Sequence, residues 1–167
     1  MVTGQRIAAR GAGGATLERM DVAKDLAAAM GRMRFAVEPE RYTLLGFPEP
    51  PQPADLADMR APAQLVLEPG ATTLLLRAEQ AAAVLSRHPA AEREENLRWI
   101  RFEAPMGWDL VGFLARVTAA LAAAEVPIGA VCSFHRDHLF VAEAHLGSAR
   151  SALRELFPES PPRGEEG

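Results

Sequence analysis

The sequence predicts an α+β protein built from two ferredoxin-like units, each a βαββαβ arrangement around an antiparallel sheet. Residues 97–157 follow the order strand, helix, strand, tight turn, strand, helix. Residues 41–88 repeat the same order with a shorter first helix. A chain of 167 residues is long enough for two small units, which are expected to pack side by side as a tandem with a shared buried surface.

The second half carries the clearer pattern. Arg98 to Glu103 alternate with period two, whereas the apolar residues from Leu110 to Ala122 recur at helical spacing. Two β-rich runs then flank the polar segment His135-Arg136-Asp137-His138, which predicts a hairpin. The predicted elements are a strand over 97–104, a helix over 107–124, strands over 128–134 and 139–144, and a helix over 146–157.

The first half is predicted from weaker signals of the same kind. Pro48 to Pro53 must end a strand because proline lacks the backbone donor, and Pro69-Gly70 predicts a tight turn between two strands. Apolar residues at helical spacing precede this unit. The predicted elements are a helix over 21–33, strands over 41–47, 63–68 and 72–77, a short helical turn over 55–59, a helix over 78–88, and a polar link over 89–95.

These elements divide the chain into two units and two tails. We expect a flexible tail over 1–20, a first module over 21–95, a second module over 96–157 and a flexible tail over 158–167. The strand over 97–104 can close the first module or open the second. Units of this size bury little surface alone, so we expect apolar contact between modules or between chains, and this surface is also a possible binding cleft.

Composition restricts the partners. A net charge of −4 and a pI of about 5.6 give no general attraction to nucleic acid or to an anionic membrane. The first twenty residues contain no apolar block typical of a signal peptide or a membrane span. Cys132 is the single cysteine, so it forms no intramolecular disulfide; we expect it to be buried in its strand and the protein to be cytoplasmic.

Two segments resemble a known family. The run Ile128-Gly-Ala-Val-Cys-Ser-Phe-His-Arg-Asp-His-Leu-Phe-Val141 is similar to the second module of small tandem ACT-domain proteins, which are stand-alone relatives of amino-acid-sensing domains. The run Leu67-Glu-Pro-Gly-Ala-Thr-Thr-Leu-Leu-Leu76 resembles the hairpin of their first module. Family members often carry two aromatics and a histidine before the Asp-His pair, whereas this chain has Phe134, His135 and Arg136. The resemblance spans about residues 23–156.

The resemblance implies a non-catalytic regulatory or sensor protein that binds a small molecule, expected to be an amino acid, and that forms a homodimer. In this family the first loop and helix start of a module meet a neighbouring sheet at the ligand. The residues predicted to bind ligand are Pro105, Met106, Gly107, Trp108, Asp109 and Leu110 in the loop, and Ser133, Phe134, His135 and Asp137 in the hairpin.

The chemistry of the loop agrees with this prediction. Pro105 interrupts the strand, Gly107 allows close approach of the backbone, and a helix start offers unpaired N–H groups to a carboxylate. Asp109 either receives an ammonium or guanidinium group or caps the helix. Trp108 is expected to cover the loop by packing, with stacking on a ligand as the alternative.

The hairpin is expected to form the opposite wall. Strand alternation places Ser133 and His135 on one face, from which both can point into the pocket. Asp137 is expected to lie in the turn, where its carboxylate either accepts hydrogen bonds from turn amides or contacts the ligand.

Three other functions were weighed. His135, Asp137, His138 and His145 offer metal ligands, although side chains at 135 and 138 leave opposite sides of a regular strand. The motifs GxGxxG, GxxxxGK[ST] and GxSxG have no match in the ordered region, and Ser133, His135 and Asp137 project too nearly in one direction to form a catalytic triad. We therefore predict no catalytic residue, no metal and no cofactor. A protein-interaction module without ligand is the third alternative.

Overall fold

The computed structural model describes residues 25–158 and shows helices and strands in the predicted order. The helices are α1 (Leu26–Arg32), α2 (Pro53–Asp58), α3 (Ala78–Arg87), α4 (Phe113–Ala123) and α5 (Leu146–Leu156), with a 3-10 turn at Glu143–His145. The strands are β1 (Phe35–Phe47), β2 (Gln64–Glu68), β3 (Ala71–Arg77), β4 (Glu92–Phe102), β5 (Gly129–Cys132) and β6 (Asp137–Ala142). The α+β prediction is thus confirmed.

The strands form one antiparallel sheet in the order β2-β3-β1-β4-β6-β5. Each half contributes a hairpin at one end and a long strand at the centre. The central strands pair along almost their whole length, from Phe35 opposite Phe102 to Gly46 opposite Glu92. The two predicted half-sheets are therefore continuous, and β4 hydrogen-bonds to β1 on one side and to β6 on the other.

This central pairing explains two corrections to the predicted strands. β1 begins at Phe35 rather than at residue 41, and β4 begins at Glu92, inside the predicted polar link. The charged residues at the start of β4 are exposed, but their backbone is held by pairing with β1. Pro39 lies where the β1–β4 register shifts, a position in which its missing N–H breaks no ladder bond.

The ends of the chain are described only in part. Helix α1 begins at Leu26, and the Asp25 carboxylate accepts a hydrogen bond from the Ala27 amide at 3.0 Å, which caps its first turn. The predicted helix start at residue 21 lies outside the described residues. So do the tails predicted over 1–20 and 158–167, apart from Pro158.

Two elements of the second half differ from prediction. Helix α4 begins at Phe113 rather than at residue 107, because Gly112 adopts a left-handed conformation with φ 94° and ends a loop over 103–112. The turn of the second hairpin lies two residues earlier than predicted, so Asp137 is in β6 opposite Cys132 instead of in the turn. The turn itself comprises residues 133–136.

The core has three parts, which follow the alternation of side chains along the strands. On the helical side, one cluster packs α4 and α5 against Ile100, Phe102 and Leu139, and another packs α3 against Leu45, Leu74 and Leu76. The third cluster lies on the opposite face of the sheet. It comprises Tyr42, Leu75, Leu97, Trp99 and Phe140, each at most 8% exposed.

The longest helices between residues 25 and 158 have 11 residues. No helix in that range has the length and apolar character needed to cross a bilayer.

Candidate functional site

The predicted loop and hairpin meet at a cavity of about 250 Å³, which we call the loop–hairpin cleft. Its loop wall comprises Met106, Gly107, Trp108 and Leu110, followed by Gly112, Phe113, Leu114 and Ala115 at the start of α4. Its hairpin wall comprises Cys132, Ser133, Phe134, Arg136 and Asp137. Seven of the ten predicted ligand residues therefore line one cavity, whereas Pro105, Asp109 and His135 do not line it.

Two hydrogen bonds to backbone carbonyls hold the two walls together. The Met106 amide donates to the His135 carbonyl at 2.9 Å, and Arg136 Nε donates to the Glu103 carbonyl at 3.1 Å. The predicted contact between loop and hairpin thus exists, although His135 contributes its carbonyl rather than its ring. These contacts fix the spacing of the cleft.

The start of α4 forms one polar side of the cleft. The first intrahelical bond runs from the Arg116 amide to the Gly112 carbonyl at 3.1 Å, so the amides of Phe113, Leu114 and Ala115 have no acceptor within the helix. Its N-cap residue is Gly112, which has no side chain to cap the helix start. The free donors and the positive end of the helix dipole therefore favour a negatively charged group in the cleft.

Asp109 does not cap this helix, so that alternative is wrong. It is exposed and lies three residues before Gly112, in a turn closed by the Leu110 amide and the Gly107 carbonyl at 3.1 Å. The long loop arises because Gly112, not Asp109, precedes the first helical residue.

The hairpin turn uses groups that were predicted to face the ligand. Ser133 Oγ donates to the Arg136 carbonyl at 2.9 Å and lies 3.2 Å from the Arg136 amide. Because residues 133–136 form a turn rather than a strand, Ser133 and His135 do not share a strand face as predicted. The His135 ring instead lies 4.8 Å from the Phe134 ring.

Cys132 is exposed, which contradicts its predicted burial. The reason is its position at the end of β5, an edge strand of the sheet. A hydrogen bond to Asp137, assisted by partial burial and by the charge of Asp137, raises the pKa of the Cys132 thiol. Asp137 therefore presents a carboxylate in the cleft beside a thiol that stays protonated.

Exposed apolar residues surround the mouth of the cleft. Trp108 is 80% exposed and Phe134 is 71% exposed, with ring centroids 6.3 Å apart, and Val111 is 83% exposed. The prediction that Trp108 covers the loop by packing is thus wrong. We call Trp108, Val111 and Phe134 the apolar patch.

A buried polar network in the first half was not predicted as a site. The Asp55 carboxylate is fully buried and accepts hydrogen bonds from the Gln52 amide at 2.7 Å and Arg87 Nε at 2.7 Å; its Oδ2 lies 2.8 Å from His88 Nε2. Burial acts to raise the pKa of Asp55, but the hydrogen bonds from His88, Arg87 and Gln52 outweigh it and lower the pKa. The sequence signal was an aspartate three residues after Gln52, at the start of a helix that begins with proline.

Metal-binding geometry was also sought. Within residues 25–158, no three His, Cys, Asp or Glu side chains are grouped so that they could hold a metal ion. Asp137 and His138 are neighbours on β6 and point to opposite faces, which separates two of the four candidate ligands.

The continuous antiparallel sheet and the repeated helix and hairpin plan define a tandem ferredoxin-like fold. The ACT domain family model matches residues 92–155, so this part of the chain is similar to an ACT domain. The match covers the second half, from the first residue of β4 into α5.

Solved structures extend the likeness to both halves. A protein from Agrobacterium tumefaciens has a TM-score of 0.63 at 17% identity, covering 75% of this chain and 89% of that chain. A Vibrio cholerae protein of unknown function, described as a possible transport protein, has a TM-score of 0.60 at 20% identity, with 76% and 91% covered. The ligand-free regulatory subunit of aspartate kinase from Thermus thermophilus has a TM-score of 0.55 at 16% identity, with 74% and 96% covered.

These similarities show a shared fold, that of tandem ACT regulatory domains. The sequence has no match among curated proteins.

Proposed function

We propose that this protein is a non-catalytic sensor that binds an amino acid in the loop–hairpin cleft. The observation that carries the proposal is the pairing of opposite polarities in one small cavity. The uncapped start of α4 offers amide donors, and the Asp137 carboxylate lines the same cavity. An α-amino acid carries the complementary carboxylate and ammonium groups on the same carbon atom.

The remaining lining supports an apolar side chain on the ligand. Met106, Leu110, Phe113 and Leu114 contribute carbon surface, and a volume of about 250 Å³ suits one small metabolite rather than a nucleotide. In this arrangement the carboxylate contacts the amides of α4, the ammonium contacts Asp137, and the side chain lies against the apolar residues.

The fold supports a regulatory function. ACT domains typically bind small molecules such as amino acids, and the aspartate kinase regulatory subunit shares this fold. We expect the bound amino acid to alter an effector protein, since the described fold contains regulatory modules. The modules over 21–95 and 96–157 and a cytoplasmic location remain predictions from the sequence.

The proposal is tested first by thermal unfolding with each of the twenty amino acids. A ligand that binds only the folded state raises the melting temperature, by an amount that grows with ligand concentration above its Kd. We expect at least one apolar amino acid to do so. If none of the twenty shifts the transition, the proposed ligand class is wrong.

Matched variants then locate the site. Asp137→Asn removes the ammonium partner and is expected to weaken binding about tenfold, the typical effect of losing a charge-assisted hydrogen bond. Gly107→Val narrows the cleft and should also weaken binding. Asp109→Ala is the control, because Asp109 does not line the cleft, and it should bind as the wild type does. If all three variants bind with the affinity of the wild type, the cleft is not the binding site.

The apolar patch favours a second function, that of a protein-interaction module. Three large apolar side chains exposed at 71% or more are typical of a contact surface. We expect homodimerisation, and analytical ultracentrifugation of wild type and Phe134→Ser measures it. A monomer at all concentrations would show that this surface does not join two copies of the chain.

A further inference from the structure

The face of the sheet opposite the helices contains two adjoining cavities. One is about 520 Å³ and lies between the segment 59–64 and residues 131–133. The other is about 550 Å³ and shares Gln64 and Val131 with the first. We call the two together the back trough.

The back trough exists because the two edges of the sheet approach one another. β2 and β5 are separated by four strands, so in a flat sheet they would lie about 24 Å apart. Residues of both edges nevertheless line the same cavities. The sheet and the segment 59–64 therefore enclose this face like an incomplete barrel, and barrel mouths are common places for small ligands.

Two aromatic residues line the back trough, Trp99 in one cavity and Phe140 in the other, and Tyr42 packs beneath them. Tyr42, Trp99 and Phe140 pack edge to face, with Trp99 centroids 5.1 Å from Tyr42 and 4.5 Å from Phe140. Each is at most 5% exposed. Val131 packs against this cluster from β5. Trp99 and Val131 therefore give this part of the trough an apolar surface.

One end of the back trough is polar and carries excess positive charge. Arg60 and Arg101 line it together with Glu38, whose Oε1 accepts a hydrogen bond from Arg101 Nε at 2.8 Å. His138 lines the same end; burial and then the charge of Arg101 lower its pKa, so its imidazole is neutral near pH 7. Arg101 Nη2 also lies 3.9 Å from Glu103 Oε1, which does not line the cavity, so the exposed Arg60 is the guanidinium group that most favours an anionic ligand group.

Two ring nitrogens at this end have no partner. Trp99 Nε1 and His138 Nδ1 are shielded from solvent and lack a hydrogen bond within residues 25–158. Unpaired buried polar atoms are unusual and call for an explanation such as a missing ligand. Both rings line the cavity.

We propose that the back trough is a second binding site, specific for a small carboxylic acid with a flat apolar body. The carboxylate lies at the end formed by Arg60, Arg101 and His138. The apolar body lies between Trp99 and Val131. This site adjoins the loop–hairpin cleft, with which it shares Cys132 and Ser133, but it does not depend on the function proposed for that cleft.

The two tryptophans of the chain allow the two sites to be observed separately. Trp99 lines the back trough, whereas Trp108 lines the loop–hairpin cleft. The full-length variant Trp108→Phe therefore reports on the back trough alone. The probe is phenylacetate, with benzyl alcohol and benzylamine as neutral and cationic controls that have the same ring.

We expect phenylacetate to change the Trp99 emission with a saturable dependence on concentration. Benzylamine should bind at least about tenfold more weakly, because the positive end of the trough repels it and offers it no charge-assisted hydrogen bond. No saturable change with phenylacetate, or equal binding of all three probes, would overturn the proposal.

Variants in the Trp108→Phe background test the location. Arg60→Gln and Arg101→Gln should each weaken phenylacetate binding about tenfold and leave benzyl alcohol binding unchanged. Arg60 is exposed, so its variant also guards against a loss of folding in Arg101→Gln. Arg136→Gln, in the loop–hairpin cleft, should bind phenylacetate as before. If only Arg136→Gln weakens binding, the carboxylate lies in the other site and the back trough is not the site.

Discussion

In each half the residue after the last helix anchors that helix, through polar contacts in the first half and through aromatic contacts in the second. His88 directly follows α3 and Phe157 directly follows α5, and each donates its amide to the last turn of that helix, at 2.9 Å in both cases. In the first half His88 stacks on Phe47 with centroids 3.9 Å apart and hydrogen-bonds to Asp55. In the second half, Phe157 instead packs among aromatic rings.

The difference determines whether backbone amides remain free at the start of α2 and at the start of α4, the helices that precede the two hairpins. Asp55 accepts a hydrogen bond from the Gln52 amide at the start of α2, so an internal carboxylate already occupies that position. The start of α4 has no such side chain, and Phe113 fills the core beside Phe157 instead. The first half is therefore closed by its own residues, whereas the second half leaves its helix start available to an external carboxylate.

The largest loss of stability is expected for a substitution in the aromatic cluster around Phe157. Phe157 is 1% exposed and contacts the rings of Phe35, Phe102 and Phe113. Phe157→Ala should lower the free energy of unfolding by about 3–5 kcal/mol through lost burial and a residual cavity. Urea denaturation measures this. Leu156→Ala is the control at a partly buried neighbour, and an equal loss in both variants would show that the aromatic cluster is not special.

A substitution in the Asp55 network should destabilise the protein nearly as much. Asp55→Ala leaves Arg87 and His88 without their shared acceptor, and removal of one partner from a buried charged network typically costs about 3 kcal/mol. Asp58→Ala removes a partner of Arg87 that is 36% exposed and should cost less than about 1 kcal/mol. Comparable losses for the two variants would contradict the central role of Asp55.

Acid titration of stability sharpens this test. The pKa of Asp55 is lower in the folded protein than its ordinary value of 3.8, because hydrogen bonds outweigh its burial. Its stabilisation is therefore fully present above the unfolded-state pKa and is lost as the pH falls through the folded-state pKa. Urea midpoints between pH 6 and pH 2 should fall more steeply for the wild type than for Asp55→Ala, and parallel profiles would contradict this assignment.

The sequence predicted the order of elements because periodicity and proline are local signals. It could not predict the start of β4, where exposed charged residues are held only by pairing with β1, about fifty residues away in the chain. The Asp55 network was missed for the same reason, since Arg87 and His88 lie more than thirty residues further on.

The candidate site was predicted in its location more than in its detail. The loop and the hairpin were identified from a proline, a glycine and a turn, and these segments do meet. The start of α4 was misplaced because the left-handed conformation of Gly112 depends on the folded loop. The exposure of Cys132 depends on β5 being an edge strand, which only the topology reveals.

The hairpins of the two halves also differ, and this difference gives the smallest predicted effect. The first hairpin closes with Glu68 opposite Ala71, whereas the second closes with Cys132 opposite Asp137. The thiol can hydrogen-bond to the carboxylate only in the second hairpin, and this bond is the main reason that the pKa of Cys132 is raised.

Asp137→Asn should therefore lower the pKa of Cys132 and increase its thiolate fraction at pH 8. The reaction of the Cys132 thiol with a disulfide reagent such as dithiobis(nitrobenzoate) should accelerate several-fold. The curve of reaction rate against pH should move to lower pH. Asp109→Ala changes a nearby carboxylate without touching the thiol and should react as the wild type does. If both variants react at the wild-type rate, Asp137 does not hold the thiol in its protonated form.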